Sequence, residues 1–227
     1  PGDLNFLSRL KSQWPIAVVT SPEVVEVEIL GARMSGSGAK HIYVFCLPYP
    51  SKARIVAAGT PPDQVGAVVE KAFDNMFMEA GMLLDDARRN SIRTGCIGHV
   101  TISGAVASTG QPQVGGELSI NAPHLARLGD CFKVFNHIHK HQRLHGATYA
   151  GSMCRMDWGE IEPKGYIVIE CEPERSAWPG RFKEHVDWSH CQTFVPIPVP
   201  AMIHIDATLT RDGFTWTPGP TGGGAPR

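Results

Sequence analysis

Two histidines one residue apart, His137 and His139, carry the clearest chemical signal in this 227-residue chain. They follow the stretch 131–135, whose apolar residues are typical of a buried strand. Side chains at positions i and i+2 of an extended segment point the same way, so both imidazoles are expected to leave the strand end on one side. A third histidine, His99, opens the predicted strand 100–103. Imidazole is a common ligand of zinc, manganese and iron, so these three residues predict a metal site.

Other arrangements of metal-binding residues fit the sequence less well. A cupin would need a glutamate where Arg143 and Leu144 stand, and a metallo-β-lactamase would need an aspartate in place of His141. A second zinc site could use Cys171, Cys191 and nearby histidines, but their spacing matches no standard zinc pattern. The other histidines are interpreted as structural, namely His41, His124, His141, His145, His185, His190 and His204.

The elements that must position the histidines alternate along the chain. Apolar runs and alternation predict strands over residues 16–20, 24–29, 41–47, 97–103, 131–135, 147–150, 166–171 and 202–210. Residues 193–199 contain prolines and suit an edge strand or a connector. Helical spacing predicts a helix end over 4–11, a long helix from Pro61 to Arg89 that Gly81 weakens, and a short helix over 122–128. This alternation favours an α/β fold with mixed sheets.

Composition narrows the class of protein. The net charge of −1 excludes a global polycation, so nucleic-acid contact would need a local patch. No apolar run is long enough to cross a membrane, and the first residues lack the pattern of a signal peptide. Six scattered cysteines without a C-x-x-C pair are interpreted as reduced, mostly buried thiols of a cytoplasmic protein.

The flanks of the histidine pair give a more specific indication. The sequence NHIHKHQ at residues 136–142 resembles the G-H-I-H-K-x-Q segment of calcineurin-like metallophosphoesterases. YAGS at 149–152, MDWGE at 156–160 and KGY at 164–166 are similar to a block of the SbcD-type DNA repair exonuclease subunits in this family. Residues 18–22 and 47–52 are also similar to that group, and His99 falls where the family has a histidine ligand. The resemblance covers residues 1 to about 172.

The resemblance implies a two-sheet α/β sandwich flanked by helices, of which residues 1–172 form the C-terminal part. Residues 173–227 would then be a connector, or the start of a capping region with a loose tail. In such proteins two metal ions, often manganese, bind phosphate and generate a hydroxide. His99, His137 and His139 would be ligands here, whereas Asp157 and Glu160 would belong to a structural turn. The substrate-binding residues would be Lys140, His141 and Arg143.

The function that the resemblance implies is metal-dependent hydrolysis of DNA phosphodiester bonds. Implied partners are DNA, an SbcC-like ATPase and a second copy of the chain, with no membrane. The family's D-x-H and G-N-H-D motifs do not occur in this sequence, so no catalytic residue is predicted. Two alternatives stay open: a non-catalytic remnant or binding module of the same fold, and a three-histidine single-metal hydrolase. Asn136 stands where the family has glycine, and asparagine tolerates positive φ.

Overall fold

The computed structural model describes residues 16–28, 41–90, 92–108, 117–157, 160–170, 191–200, 205–210 and 213–218, the last two segments mainly by their backbone. The predicted helix over 4–11 and the predicted loose tail lie outside these residues. The chain divides into two compact units. The first consists of residues up to Val100 together with Leu118–Lys133, and the second of Thr101–Glu117 together with the residues from Val134 onward.

The described residues contain twelve strands and three helices. The strands are β1 (Glu23–Glu28), β2 (His41–Leu47), β3 (Arg93–His99), β4 (Thr101–Ile102), β5 (Ser119–Ile120), β6 (Phe132–Asn136), β7 (Gln142–Leu144), β8 (Ala147–Tyr149), β9 (Gly165–Ile169), β10 (Gln192–Pro196), β11 (Ile205–Thr210) and β12 (Gly213–Pro218). The helices are α1 (Lys52–Ala57), α2 (Val65–Arg89) and α3 (Ala122–Arg127).

In the first unit the strand order is β1-β2-β3, followed by the first residues of β6. Strand β1 pairs antiparallel to β2, and β2 pairs parallel to β3 with Phe45 opposite Cys96. Phe45 and Leu47 are buried, as the apolar run of β2 predicts. Gly95 lies against the ring of Phe132, where a Cβ atom would stand only 2.0 Å from the ring. Glycine at this position therefore lets β6 pack close to β3.

Helix α2 belongs to the first unit and packs on the other elements of that unit through one apolar face. The predicted helix is confirmed to Arg89 and begins at Val65, after a turn over residues 62–64. Its buried residues recur at intervals of three and four, which defines one face of a helix: Val65, Val69, Phe73, Phe77, Ala80, Gly81, Leu84 and Ala87. Gly81 is tolerated mid-helix because it faces α3, where a Cβ atom would lie 2.2 Å from the carbonyl oxygen of Arg127. Close packing of the two helices thus depends on this glycine.

In the second unit the strand order is β6-β8-β7, with β8 parallel to β6 and antiparallel to β7. Two further antiparallel pairs are β9 with β10 and β11 with β12. Of the proline-containing segment 193–199, the residues up to Pro196 belong to β10, which pairs only with β9 among the described strands. The prediction of an edge strand there is confirmed, because proline lacks the N–H needed inside a sheet.

Some sequence predictions are wrong in detail. Residues 16–20 form no strand, although their composition favours one. His99 ends β3 instead of opening the next strand, because pairing with β2 starts β3 at Arg93. The mixed α/β class is confirmed, whereas the metallophosphoesterase sandwich and the boundary at residue 172 stay predictions. In the described part of the chain, no helix combines the length and the apolar character needed to span a membrane.

Candidate functional site

The two histidines of the H-x-H pair lie in a bend, not on an extended strand. Strand β6 ends at Asn136, and residues 137–140 turn away from it. His137 has a φ of 102°, a backbone conformation that residues other than glycine rarely adopt. The positive φ of this turn thus lies at His137, and not at Asn136, which stands where the family has glycine. Strain of this kind costs about 1–3 kcal/mol and is concentrated at functional sites.

Backbone contacts from the segment after β8 hold this bend. The N–H of Ala150 donates to the carbonyl oxygen of Phe135 over 3.0 Å, and that of Ser152 donates to the carbonyl oxygen of His139 over 3.2 Å. Gly151 lies between them at φ +81°, and a Cβ atom there would stand 3.0 Å from the same His139 oxygen. The YAGS sequence thus supports the bend, and its glycine permits the close approach.

Glu117 holds the side chain of His137. Its Oε2 lies 3.1 Å from Nε2 of His137 and also accepts a hydrogen bond of 2.7 Å from the hydroxyl of Thr101. An ionised carboxylate only accepts hydrogen bonds, so the ring nitrogen that faces it carries a proton. In the neutral imidazole the lone pair is then on Nδ1.

Glu160 holds His139 in the same way but through the opposite ring nitrogen. Its Oε1 lies 2.5 Å from Nδ1 of His139, while its Oε2 accepts hydrogen bonds from Lys164 Nζ at 2.7 Å and from the N–H of Met156 at 3.0 Å. The side chains of Glu160 and Lys164 are fully buried, whereas that of His139 is 29% exposed. The family resemblance implies a structural turn at Glu160 and does not link this residue to His139.

The environment of Glu160 favours its charged form. Burial raises the pKa of the Glu160 carboxyl, but the hydrogen bonds that it accepts, foremost from Lys164, outweigh burial and hold the pKa below its usual range. The site therefore contains two carboxylate–histidine pairs, and each carboxylate fixes one imidazole. Metal-binding histidines commonly donate their second ring nitrogen in this way.

The predicted substrate-binding residues make contacts within the protein. The ring of His141 stacks on Phe194 with centroids 4.2 Å apart, and its Nδ1 lies 2.8 Å from the carbonyl oxygen of Tyr149. Arg143 donates to the carbonyl oxygen of Gln192 over 2.9 Å. Lys140 is half-buried. A role of these residues in binding phosphate stays a prediction.

His99, the third predicted ligand, belongs to the first unit. It is exposed at the end of β3, and its ring meets that of Tyr49 edge to face with centroids 5.9 Å apart. Its role as a ligand stays a prediction. Of the second zinc candidate, Cys171 and the nearby histidines lie outside the described residues, and Cys191 is a free thiol.

A different group in the first unit could hold a metal ion. Glu70, Asp74 and His124 each offer one ligand atom, and these atoms lie within 4.8 Å of one another. Nε2 of His124 is 3.8 Å from Glu70 and 3.5 Å from Asp74. The sequence favours a structural role for His124, and neither carboxylate is among the metal ligands that it predicts. Their i, i+4 spacing on α2 was the available signal, since it places them on one helix face.

The hydrogen bonds of this group compete with metal binding. Nδ1 of His124 accepts from the N–H of Asn121 over 3.1 Å in a capping box at the start of α3, so the ring proton belongs on Nε2. Asp74 also pairs with Arg127, and Glu70 accepts from the amide of Asn121 at 3.2 Å. A metal ion on Nε2 would have to displace that proton, at the expense of the cap.

Comparisons with known proteins add no assignment to this geometry. Neither protein-family models nor curated proteins gave a match to the chain. The site is therefore defined by its own chemistry. That chemistry consists of two imidazoles in one bend, with a strained backbone at His137 and a carboxylate within hydrogen-bond distance of each imidazole.

Proposed function

We propose that this protein is a metal-dependent phosphoesterase that hydrolyses DNA phosphodiester bonds, with His137 and His139 as metal ligands. The observation that carries the proposal is that each histidine is held by its own carboxylate, Glu117 or Glu160. A bound divalent metal such as manganese would polarise the phosphate and activate a water molecule. The backbone strain at His137 supports the proposal, since a purely structural bend would favour glycine there.

The proposed reaction is hydrolysis. The oxygen of water forms a new bond to phosphorus, the bond from phosphorus to one ester oxygen breaks, and that oxygen leaves as an alcohol after taking up a proton. The protein's own part is to hold the two imidazoles in a fixed orientation. Lys140, which follows the pair, is the nearest cation in the sequence for a DNA phosphate. A DNA strand, an SbcC-like ATPase and a second copy of the chain are the partners that the same proposal implies.

A single-metal hydrolase is the second candidate. In the described residues, both carboxylates beside the pair already accept hydrogen bonds from imidazole nitrogens. Carboxylates engaged in this way are poorly placed to bridge two ions. The number of ions that the chain binds therefore separates the two candidates.

The test is metal analysis combined with a phosphodiesterase assay. Purified chain is loaded with Mn²⁺, dialysed, analysed for metal content and assayed on bis(p-nitrophenyl) phosphate and on a DNA oligonucleotide. We expect bound manganese and turnover of both substrates, with His137→Ala and His139→Ala losing both properties. His145→Asn is the matched control, because His145 is exposed in a nearby turn at φ 51°, a conformation that asparagine tolerates. Two ions per chain support the two-metal mechanism, and one ion supports the alternative. The absence of both bound metal and turnover would contradict the proposal.

A further inference from the structure

His139 is held at two points by one buried ion pair. Glu160 contacts its Nδ1 at 2.5 Å, and Lys164 donates to its carbonyl oxygen over 3.3 Å. Glu160 and Lys164 are themselves joined at 2.7 Å, with both side chains fully buried. The pair therefore fixes the backbone and the ring of the same histidine.

Stability alone does not explain this arrangement. Burying two charges costs several kcal/mol per ion in desolvation, and well-packed apolar residues often replace such a pair at no loss of stability. Both oxygens of Glu160 are nevertheless hydrogen-bonded, and Lys164 contacts both Glu160 and the carbonyl oxygen of His139. A hydrogen-bonded polar network in a protein interior favours one geometry, and here that geometry is the orientation of a partly exposed imidazole.

We infer that Glu160 is a positioning residue, which keeps the proton of His139 on Nδ1 and thereby makes Nε2 the atom that binds the metal. Lys164 anchors Glu160 and the backbone of His139. The inference rests on the proposed metal site and names the ligand atom that this site uses. A neutral imidazole with its proton on Nδ1 has its lone pair on Nε2, which suits a divalent transition-metal ion.

The expected effect on metal binding follows from this role. Loss of a carboxylate that orients a ligating histidine commonly weakens metal affinity 10–100-fold, roughly, without removing a ligand. Glu160→Gln alone would leave Lys164 buried without its counter-charge, which destabilises the protein for an unrelated reason. The double variant Glu160→Gln/Lys164→Met removes both charges and keeps similar side-chain volumes.

The experiment has two readouts. Long-range ¹H–¹⁵N correlation spectra report the tautomer of His139 in metal-free protein, with the signal assigned by its absence in His139→Ala. Calorimetric titration with Mn²⁺ then gives the affinity. Glu162→Gln is the control, because Glu162 lies two residues from Glu160 but its carboxylate accepts from Ser108 instead.

We expect the Nδ1–H tautomer in the wild type, a mixture of tautomers in the double variant, and an affinity lower by about 10–100-fold in the double variant only. A wild-type His139 protonated on Nε2 would overturn the inference, even if the double variant fails to fold. Equal Mn²⁺ affinity in wild type and double variant would also overturn it, while leaving the proposed metal site intact. A wild type that binds no Mn²⁺ would instead contradict the proposed function and, with it, the role of Nε2 as a ligand.

Discussion

Nε2 of His137 lies 3.1 Å from Oε2 of Glu117, although the two residues are twenty positions apart in the sequence. The same carboxylate oxygen accepts a hydrogen bond from Thr101, so its position is fixed from two sides. Both side chains are largely but not completely buried, with exposures of 17% and 18%. Glu117 binds Nε2 of His137, whereas Glu160 binds Nδ1 of His139. The two imidazoles are therefore oriented through different ring nitrogens.

Glu117→Gln should weaken Mn²⁺ binding by about 10–100-fold, because the amide orients the ring of His137 less strongly than the carboxylate does. Calorimetric titration measures the change. Glu26→Gln is a matched control, since Glu26 forms a carboxylate–histidine pair of 3.2 Å with His41 in the first unit. We expect no change in that variant. An equal loss in both variants would show that the effect is not specific to the site.

His137→Gly should be more stable than His137→Ala. Alanine at φ 102° retains the backbone strain, which costs about 1–3 kcal/mol, whereas glycine adopts this conformation freely. Glycine also loses more entropy on folding, so we expect a net advantage of about 1–2 kcal/mol in the free energy of unfolding, measured by urea denaturation.

Lys140→Gly and Lys140→Ala provide the reverse case in the same bend. Lys140 is not among the described residues with positive φ, so alanine should be the more stable substitution by about 0.5–1 kcal/mol. If alanine were also favoured at position 137, the backbone there would not be strained in solution.

Local patterns in the sequence predicted much of the fold. The apolar run of β2 and the periodic apolar face of α2 each bury residues that are close in the sequence, and such patterns report burial directly. Residues 16–20 show the limit of this reasoning, since their strand-like composition is not matched by a paired strand in the structure. β-propensity describes how side chains fit a half-buried sheet and therefore depends on the neighbouring strands.

The sequence predicted the two histidines of the candidate site but not the two carboxylates that contact them. The H-x-H spacing indicated His137 and His139, but an extended strand was the wrong geometry because the chain bends at His137. Glu117 and Glu160 come from separate segments, and no periodicity relates them to the histidines. Contacts of this kind depend on the path of the whole chain, and a local pattern cannot specify them.

Gly81→Ala should destabilise the protein by about 1–3 kcal/mol or more, because the new Cβ atom would stand 2.2 Å from the carbonyl oxygen of Arg127 and push α3 away from α2. Gly66→Ala in the same helix meets no atom within 4 Å. It should stabilise the protein by up to about 1 kcal/mol, because alanine is the better helix former. Thermal and urea denaturation of both variants measure the contrast. Effects of the same sign would contradict the close packing of the two helices.

Asp74→Asn should leave the Mn²⁺ affinity of the chain unchanged, whereas His139→Ala should lower it. The capping box at α3 keeps the ring proton of His124 on Nε2, which opposes metal binding by the group that includes Asp74. Calorimetry on the two variants locates the bound ion. A loss of affinity in Asp74→Asn with wild-type affinity in His139→Ala would place the metal at α2 instead.

The cysteines should differ in reactivity with pH. The five described cysteines are free thiols, and Cys154 is exposed. Burial raises the pKa of the thiols of Cys96 and Cys131 above the usual range, so both stay protonated at a pH where an ordinary cysteine is partly thiolate. Since the thiolate is the nucleophile, iodoacetamide near pH 8.5 should modify Cys154 in the native protein and spare Cys96 and Cys131.

Peptide mass spectrometry measures the modification of each cysteine. Labelling in urea serves as the control, where all three cysteines should react. Modification of Cys96 at the rate of Cys154 in the native state would show that the interface between β2 and β3 opens in solution.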